Sequence, residues 1–263
     1  MSLNRKATAV GLVFAILLGL ALPVTAADDA ALDKAFEVLK TYDWGNDRSP
    51  LEALDRAIAA SHGDAAAQKA LEARLVAVLK SDAPNAAKDV TCRQLSLVGS
   101  AGSVETLADL LGDEKLAHIA RYALERMQCP EALAALREAL SKTSGRVKVG
   151  VINSLGVRRD AEATAALTAL LDASDEAIVS AAAGALGKIG SSDTAKTLKA
   201  FQADAPDSLA LVAADACLAN AEQLLADGKK LEAMMMYRGL SKSEIKHIKV
   251  AATRGLLAAA GKK

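Results

Sequence analysis

Aromatic residues are scarce in this chain of 263 residues, where they make up 3% of the sequence against 52% for all hydrophobic residues. Strands favour aromatic and β-branched side chains. The apolar content here comes mostly from Ala, Leu and Val, and alanine and leucine are the residues that lose least on entering a helix. The composition therefore predicts an all-α fold.

Net charge is also lacking, because 32 basic residues balance 32 acidic ones. A dedicated nucleic-acid-binding protein is usually strongly basic, so we expect no nucleic-acid partner. Cysteine is rare as well, and the three present, Cys92, Cys129 and Cys217, are odd in number and widely spaced. That spacing matches no metal-binding motif, so buried structural thiols are favoured over disulfides or a metal site.

The N-terminus differs from the rest of the chain. Arg5 and Lys6 precede the apolar run "ATAVGLVFAILLGLAL", which is followed by Pro23 and the small-residue site "VTA". This order predicts a secretory signal peptide over residues 1–26 that is cleaved after Ala26, so the mature chain is expected in the periplasm or outside the cell. The alternative is an uncleaved anchor, but the run is short for a bilayer span. No later stretch is judged long and apolar enough to span a membrane, so no membrane span is expected after cleavage.

The remaining chain repeats one layout. In "DEAIVSAAAGALGKIG" (175–190) the apolar residues share one helical face. Gly190 is expected to end this helix, and Asp193 to begin the next. The same layout recurs upstream with Gly156, Gln128 and Gly99 at the helix-ending position, so successive units are separated by 34, 28 and 29 residues. A recurring period of this length predicts a stack of helix pairs.

The segment 175–190 resembles a HEAT repeat of the short bacterial kind that also occurs in phycobilisome-lyase-like proteins. An acid opens the helix and an "AAxALGxIG"-like ending closes it, although Ser180 replaces the usual arginine. The resemblance extends over about 71–201. It implies a right-handed α-α superhelix, a HEAT/armadillo-like solenoid of about seven helix pairs. Further on, "AEQLLADGKKLEAMMMYRGL" resembles half of a tetratricopeptide unit. The expected divisions are an N-terminal helical cap (27–66), a HEAT-repeat array (67–203) and C-terminal helical repeats (204–263).

The segment "TYDWGNDRSPLEAL" (41–54) contains the only tryptophan of the chain. Ser49 and Glu52, with Pro50 between them, predict a capping box at the start of a helix. Trp44 is then expected at a helix junction, where it covers the exposed end of the array. The alternative is a binding site formed by Trp44 with Asp43 or Asp47.

Motifs of known enzymes do not occur, whether GxSxG, P-loop, HExxH or CxxC. Some HEAT proteins, the deoxyhypusine hydroxylases, hold iron through His-Glu pairs, but here no histidine is followed by glutamate. Phycobilin lyases hold a chromophore with the same repeats, and aromatic residues for that role are scarce. We therefore expect no enzyme activity and no catalytic, cofactor-binding or metal-binding residue. The trio of His118, Arg121 and Tyr122 is favoured as a structural contact between repeats.

Basic residues concentrate on the second helix of each pair and acidic residues on the first. Second helices line the concave side of HEAT solenoids, so the candidate partner-binding residues are Arg93, Arg121, Arg158 and Lys188. The alternative is that these charges are solvated or form ion pairs between repeats, which are worth little individually. The predicted function is an exported, non-enzymatic scaffold that binds a protein partner. Its alternative is a subunit that holds a cofactor or chromophore in the concave groove.

Overall fold

The computed structural model describes residues 26–261, so residues 1–25 of the predicted signal peptide lie outside the described residues. Fourteen α-helices follow one another along this range. Their bounds are α1 Ala26–Lys40, α2 Glu52–Ala60, α3 Ala65–Leu79, α4 Asn85–Val98, α5 Ala101–Asp109, α6 Ala117–Arg126, α7 Pro130–Lys142, α8 Gly145–Val157, α9 Thr164–Ala169, α10 Glu176–Ile189, α11 Ser192–Asp204, α12 Ala210–Ala226, α13 Lys230–Leu240 and α14 Lys246–Ala259. Short 3₁₀ turns precede or follow several of them.

The helices form two layers. Each odd-numbered helix packs against the even-numbered helix that follows it, and each even-numbered helix from α2 to α12 also contacts the next even-numbered one. Among the odd-numbered helices such contacts run from α1 to α7 and are slight at most around α9. Around α9, the even-numbered helices are therefore closer to one another than the odd-numbered helices are. The layer whose helices are closer follows the shorter path, so in this part of the array the even-numbered helices lie on the inner side. The predicted all-α solenoid of about seven helix pairs is confirmed.

Small residues bring the even-numbered helices together. A Cβ added to Gly156 of α8 would lie 2.7 Å from the Cα atom of Ala185 in α10. A Cβ added to Gly187 of α10 would lie 2.7 Å from the carbonyl oxygen of Ala216 in α12. Ala185 is buried, as are the neighbouring Ala182 and Leu186. These backbones approach so closely that no larger side chain fits between them.

The repeated glycine position ends the helix in only part of the array. Gly190 adopts the left-handed conformation (φ 67°) directly after α10, and Gly99 directly follows α4, as predicted. The prediction for Gly156 is wrong, because α8 continues to Val157. The left-handed position there falls on Arg159 (φ 51°). Gly156 serves the close helix contact rather than the helix end.

The junction around Trp44 is a turn, but two predictions about it are wrong. Ser49 caps no helix, since its N–H and hydroxyl groups both donate to the carboxylate of Asp47, at 2.9 and 2.6 Å. The hydrogen bonds from Ser49 lower the pKa of Asp47. Trp44 is 66% exposed and therefore does not cover the end of the array. That end is closed instead by buried side chains of α1 and α2, among them Phe36 and Leu54.

One helical segment among the described residues, Asp207–Ala226, is long and apolar enough to cross a membrane on length and composition. The expectation that no stretch after the signal peptide meets these criteria is therefore wrong. A core helix of a soluble protein meets them too, and 44% of the apolar window of this segment is buried. The segment includes α12, which packs against α10, α11 and α13.

Candidate functional site

Arg121, one of the predicted partner-binding residues, joins α6 to α8. Its guanidinium group donates hydrogen bonds to Glu125 at 3.0 Å and to the hydroxyl of Ser154 at 2.5 Å. His118 Nδ1 lies 3.2 Å from the same group. The stem crosses Gly150, where an added Cβ would lie 2.9 Å from the Nε atom of Arg121. The charge of Arg121 is thus used between repeats.

Arg158 is used in the same way. It follows α8 and donates from Nη1 to the carbonyl oxygen of Glu125 at 3.0 Å and to that of Met127. Both carbonyls belong to the end of α6, where a cation stabilises the negative end of the helix dipole. Arg158 therefore holds one unit to the preceding one.

Arg93 and Lys188 face solvent. Arg93 of α4 donates a hydrogen bond from Nε to the carboxylate of Asp89 in the same helix, at 2.7 Å. Its side chain nevertheless remains 60% exposed. Lys188, near the end of α10, is exposed and forms no ion pair with any described residue. Of the four candidates, two are engaged within the array and two remain open to a partner.

Tyr122 of α6 lies near two arginines, Arg126 of its own helix and Arg93 of α4. The guanidinium carbon of Arg126 is 5.6 Å from the centre of the tyrosine ring. The pKa of Arg93 is raised chiefly by its hydrogen bond to Asp89, and Tyr122 is close enough to add to that effect. Leu97, one turn after Arg93, is 59% exposed. We name these four residues, Arg93, Leu97, Tyr122 and Arg126, the α4–α6 patch.

The sequence did not predict that the four residues of the α4–α6 patch lie together. Tyr122 and Arg126 are four residues apart and share a helix face, which is visible in the sequence. Their proximity to Arg93, 29 residues earlier, depends on how α4 and α6 stack, and only the structure supplies that.

The sequence also did not predict the contacts that the loop 158–160 makes with several helices. Arg159 forms an ion pair with Asp227, which follows α12, and donates to the carbonyl oxygen of Ile189 at the end of α10 at 3.3 Å. The hydrogen bond from Arg159 lowers the pKa of Asp227. Asp160 is buried and accepts from Arg137 of α7 at 2.9 and 3.0 Å. This loop joins the ends of α6, α8, α10 and α12 at one edge of the array.

Other polar contacts also join neighbouring units. The buried carboxylate of Glu72 in α3 accepts from the N–H and hydroxyl groups of Ser100, both at 2.6 Å, at the start of α5. Asn220 of α12 donates to Thr194 of α11 at 2.6 Å. The predicted contacts between repeats are therefore present, and they use several of the charges that the sequence left unassigned.

The described residues contain no cluster of three or more His, Cys, Asp or Glu side chains that could hold a metal ion. All three cysteines are free thiols. Cys92 and Cys217 are buried as predicted, and burial raises the pKa of each to about 12. Cys129 is half-buried. Of the three consecutive methionines, Met236 is buried and Met235 is 62% exposed, so only part of this run fills the core.

Part of the sequence matches a known protein family. Residues 112–179 and 133–219 match the sequence profile of the HEAT-repeat family. The part of the chain over 112–219 therefore resembles HEAT repeats. The matched part ends at residue 219, so the resemblance of the following segment to a tetratricopeptide unit stays a prediction. None of the curated proteins matches the chain.

Solved structures with similarity to this chain include the following three. An engineered protein from a structural genomics consortium is 19% identical, with 90% of this chain and 72% of that chain covered and a TM-score of 0.45. Human deoxyhypusine hydroxylase in complex with glycerol is 14% identical, with 90% and 98% covered and a TM-score of 0.33. A second engineered protein is 19% identical, with 86% and 96% covered and a TM-score of 0.29.

Proposed function

We propose that this HEAT-repeat protein is an exported, non-enzymatic scaffold that binds a protein partner through the α4–α6 patch, with Lys188 as a further contact. The observation that supports this most is that Tyr122 and Arg126 of α6, with the centre of the ring 5.6 Å from the guanidinium carbon, lie near Arg93 on the adjacent helix α4. Arg121 and Arg158, in contrast, are engaged within the array.

The chemistry of the α4–α6 patch favours an acidic partner with an apolar side chain. Tyrosine and arginine are enriched among the residues that carry binding energy in protein interfaces. Leu97 offers an exposed apolar contact beside them. Each unit of a solenoid contacts only its neighbours, so the array presents a long surface that suits a protein ligand. Charge complementarity of this kind speeds association and makes it dependent on salt.

A capture experiment tests the binding surface. The mature chain, beginning at residue 27, is used as bait in the exported fraction, and bound proteins are identified by mass spectrometry. The test variant carries Arg93→Glu, Tyr122→Ala and Arg126→Glu. We expect it to lose the partner while its helicity stays close to that of the wild type.

A matched control reverses two exposed lysines on odd-numbered helices, in the variant Lys199→Glu and Lys230→Glu. It makes a comparable change in charge and should capture the same partner as the wild type. If the α4–α6 variant keeps the partner at the wild-type level, the binding surface lies elsewhere and the proposal fails.

Export has its own experiment. The pattern of Arg5, the apolar run and the small-residue site supports a cleaved leader. Expression of the full chain in a Gram-negative host, followed by N-terminal sequencing of the periplasmic protein, should give a chain that begins at Ala27. Full-length protein confined to the cytoplasm would contradict export.

A further inference from the structure

A groove of about 700 Å³ opens between the units formed by α9 to α12. It exists because α9 is short, with six residues, and makes at most slight contact with α7 and α11, its neighbours in the odd-numbered layer. Its apolar lining consists mainly of the half-buried Leu171 and Phe201, with the buried Val179 and Leu209 beneath them.

The groove is also acidic. Asp172, Glu176 and Asp204 line it, and no lysine or arginine does. Glu176 accepts a hydrogen bond from Ser208 at 2.7 Å, whereas Asp172 and Asp204 form no ion pair with any described residue. Three carboxylates around an apolar lining favour an occupant that is both apolar and cationic.

The same chain carries a surface of that chemistry on α14. Lys246, Val250 and Arg254 are spaced four residues apart and share one helix face, and all three are exposed. Leu257, one turn further on, is 48% exposed and Val250 is 42% exposed. The helix contains no acidic residue, and Lys249 adds a third exposed cation.

We propose that the groove is occupied by a second copy of this chain, with the outer face of α14 of one copy lying against the acidic groove of the other. Three cations on α14 complement three carboxylates in the groove. The exposed Val250 and Leu257 complement its apolar lining, which removes apolar surface from water. Because each copy has both surfaces, two copies can exchange them reciprocally or several can form a chain.

This self-association goes beyond the proposed function and uses different residues. The α4–α6 patch lies on α4 and α6, whereas the groove and the outer face of α14 lie in the C-terminal half of the array. Loss of one interaction is therefore expected to leave the other intact.

Charge reversal in two separate variants tests the pairing. The groove variant carries Asp172→Lys and Asp204→Lys, and the helix variant carries Lys246→Glu and Arg254→Glu. Sedimentation velocity over a range of concentrations measures association of the mature protein. We expect the wild type to associate, and the dissociation constant to rise by about tenfold or more for each variant alone, because like charges then face each other.

Mixing the two variants is the decisive measurement. The basic groove of one variant then faces the acidic helix of the other, and each retains a wild-type surface for the remaining contact. Association of the equimolar mixture should return to near the wild-type level. High salt should weaken association of the wild type and of the mixture, because exposed charges are screened.

The control variant Glu105→Lys and Asp109→Lys makes the same charge change on α5 and should associate like the wild type. A wild type that stays monomeric at low salt and high concentration overturns the proposal, and so does a mixture that stays monomeric. If the wild type is monomeric while a synthetic peptide of residues 246–259 binds it, the groove takes a foreign basic helix and the second copy is excluded.

Discussion

Two glycines in neighbouring helices have opposite surroundings. An added Cβ at Gly156 would lie 2.7 Å from the Cα of Ala185, whereas one at Gly184 would have no neighbour within 4 Å. We expect Gly156→Ala to lower the free energy of unfolding by about 1–3 kcal/mol through overpacking. Gly184→Ala should raise it by up to about 1 kcal/mol, since alanine is the better helix former. Urea unfolding followed by circular dichroism measures both, and equal effects would contradict the close contact of α8 with α10.

The cysteines should differ in reactivity. Burial raises the pKa of Cys92 and of Cys217 to about 12, so almost no thiolate is present at pH 8. Cys129 is half-buried at the start of α7. In the native protein we expect a thiol reagent to modify Cys129 first, and the other two only after denaturation. Mass spectrometry of the labelled peptides measures the order, and rapid native labelling of Cys92 or Cys217 would be the contrary result.

At the scale of elements, the loop after α8 is the place where one side chain has a large effect. Asp160 is 5% exposed and is paired with Arg137 of α7. Arg137→Ala leaves this carboxylate buried without its cation, so we expect a loss of about 3–5 kcal/mol in the free energy of unfolding. Glu162 is bound to the same arginine at 3.1 Å but is 77% exposed.

The exposed partner is the matched control. Glu162→Ala should change the free energy of unfolding by less than about 1 kcal/mol, because an exposed ion pair contributes little. Thermal or urea unfolding of both variants makes the comparison. Similar losses for Arg137→Ala and Glu162→Ala would mean that Asp160 is hydrated when its cation is removed and that the loop opens more easily than its burial indicates.

The existence and order of the helices could be predicted because the 3.6-residue apolar period is a local property of the chain. The role of a glycine, in contrast, depends on which other helix packs against it. At Gly190 it provides a left-handed helix end and at Gly156 it provides space for another helix, and the sequence pattern is the same. The capping box predicted at Ser49 does not form for a local reason. The N–H and hydroxyl groups of Ser49 donate to the carboxylate of Asp47 instead.

The candidate site was harder to predict than the helices. Arg121 and Arg158 are on the predicted helix or directly after it, yet their long side chains end on α8 and on carbonyls of α6. Which acceptor lies within reach depends on how successive units are rotated and displaced. The basic pattern placed all four candidates on or directly after even-numbered helices, but it did not separate Arg93 and Lys188, which are exposed, from the arginines engaged within the array.

At the scale of the whole molecule, the two layers differ in density. The even-numbered layer is held by glycine and alanine contacts between α8, α10 and α12, whereas the odd-numbered layer is loose around α9. The loose part creates the acidic groove, and the exposed face of the tight layer carries the α4–α6 patch. The α4–α6 patch lies where both layers are continuous, so the two proposed surfaces have different origins in the packing.

A solenoid should also tolerate removal of a terminal unit, because each unit contacts only its neighbours. A chain that begins at Asp64 lacks α1 and α2, so α3 and α4 lose the helices that cover them. We expect this truncated chain to keep nearly the helical content per residue of the remaining array. It should aggregate more readily, because apolar side chains such as Leu71 and Leu75, which are buried in the full chain, become exposed. Circular dichroism and sedimentation measure the two effects.

The full chain with Trp44→Ala is the control that separates the two helices from the tryptophan. Since Trp44 is 66% exposed, its removal should change neither helicity nor solubility, whereas loss of α1 and α2 should change solubility. Aggregation of the Trp44→Ala protein would restore the role that the sequence predicted for this residue. A truncated chain that is fully unfolded would show instead that stability is not distributed along the array unit by unit, and that the N-terminal helices are needed for the rest to fold.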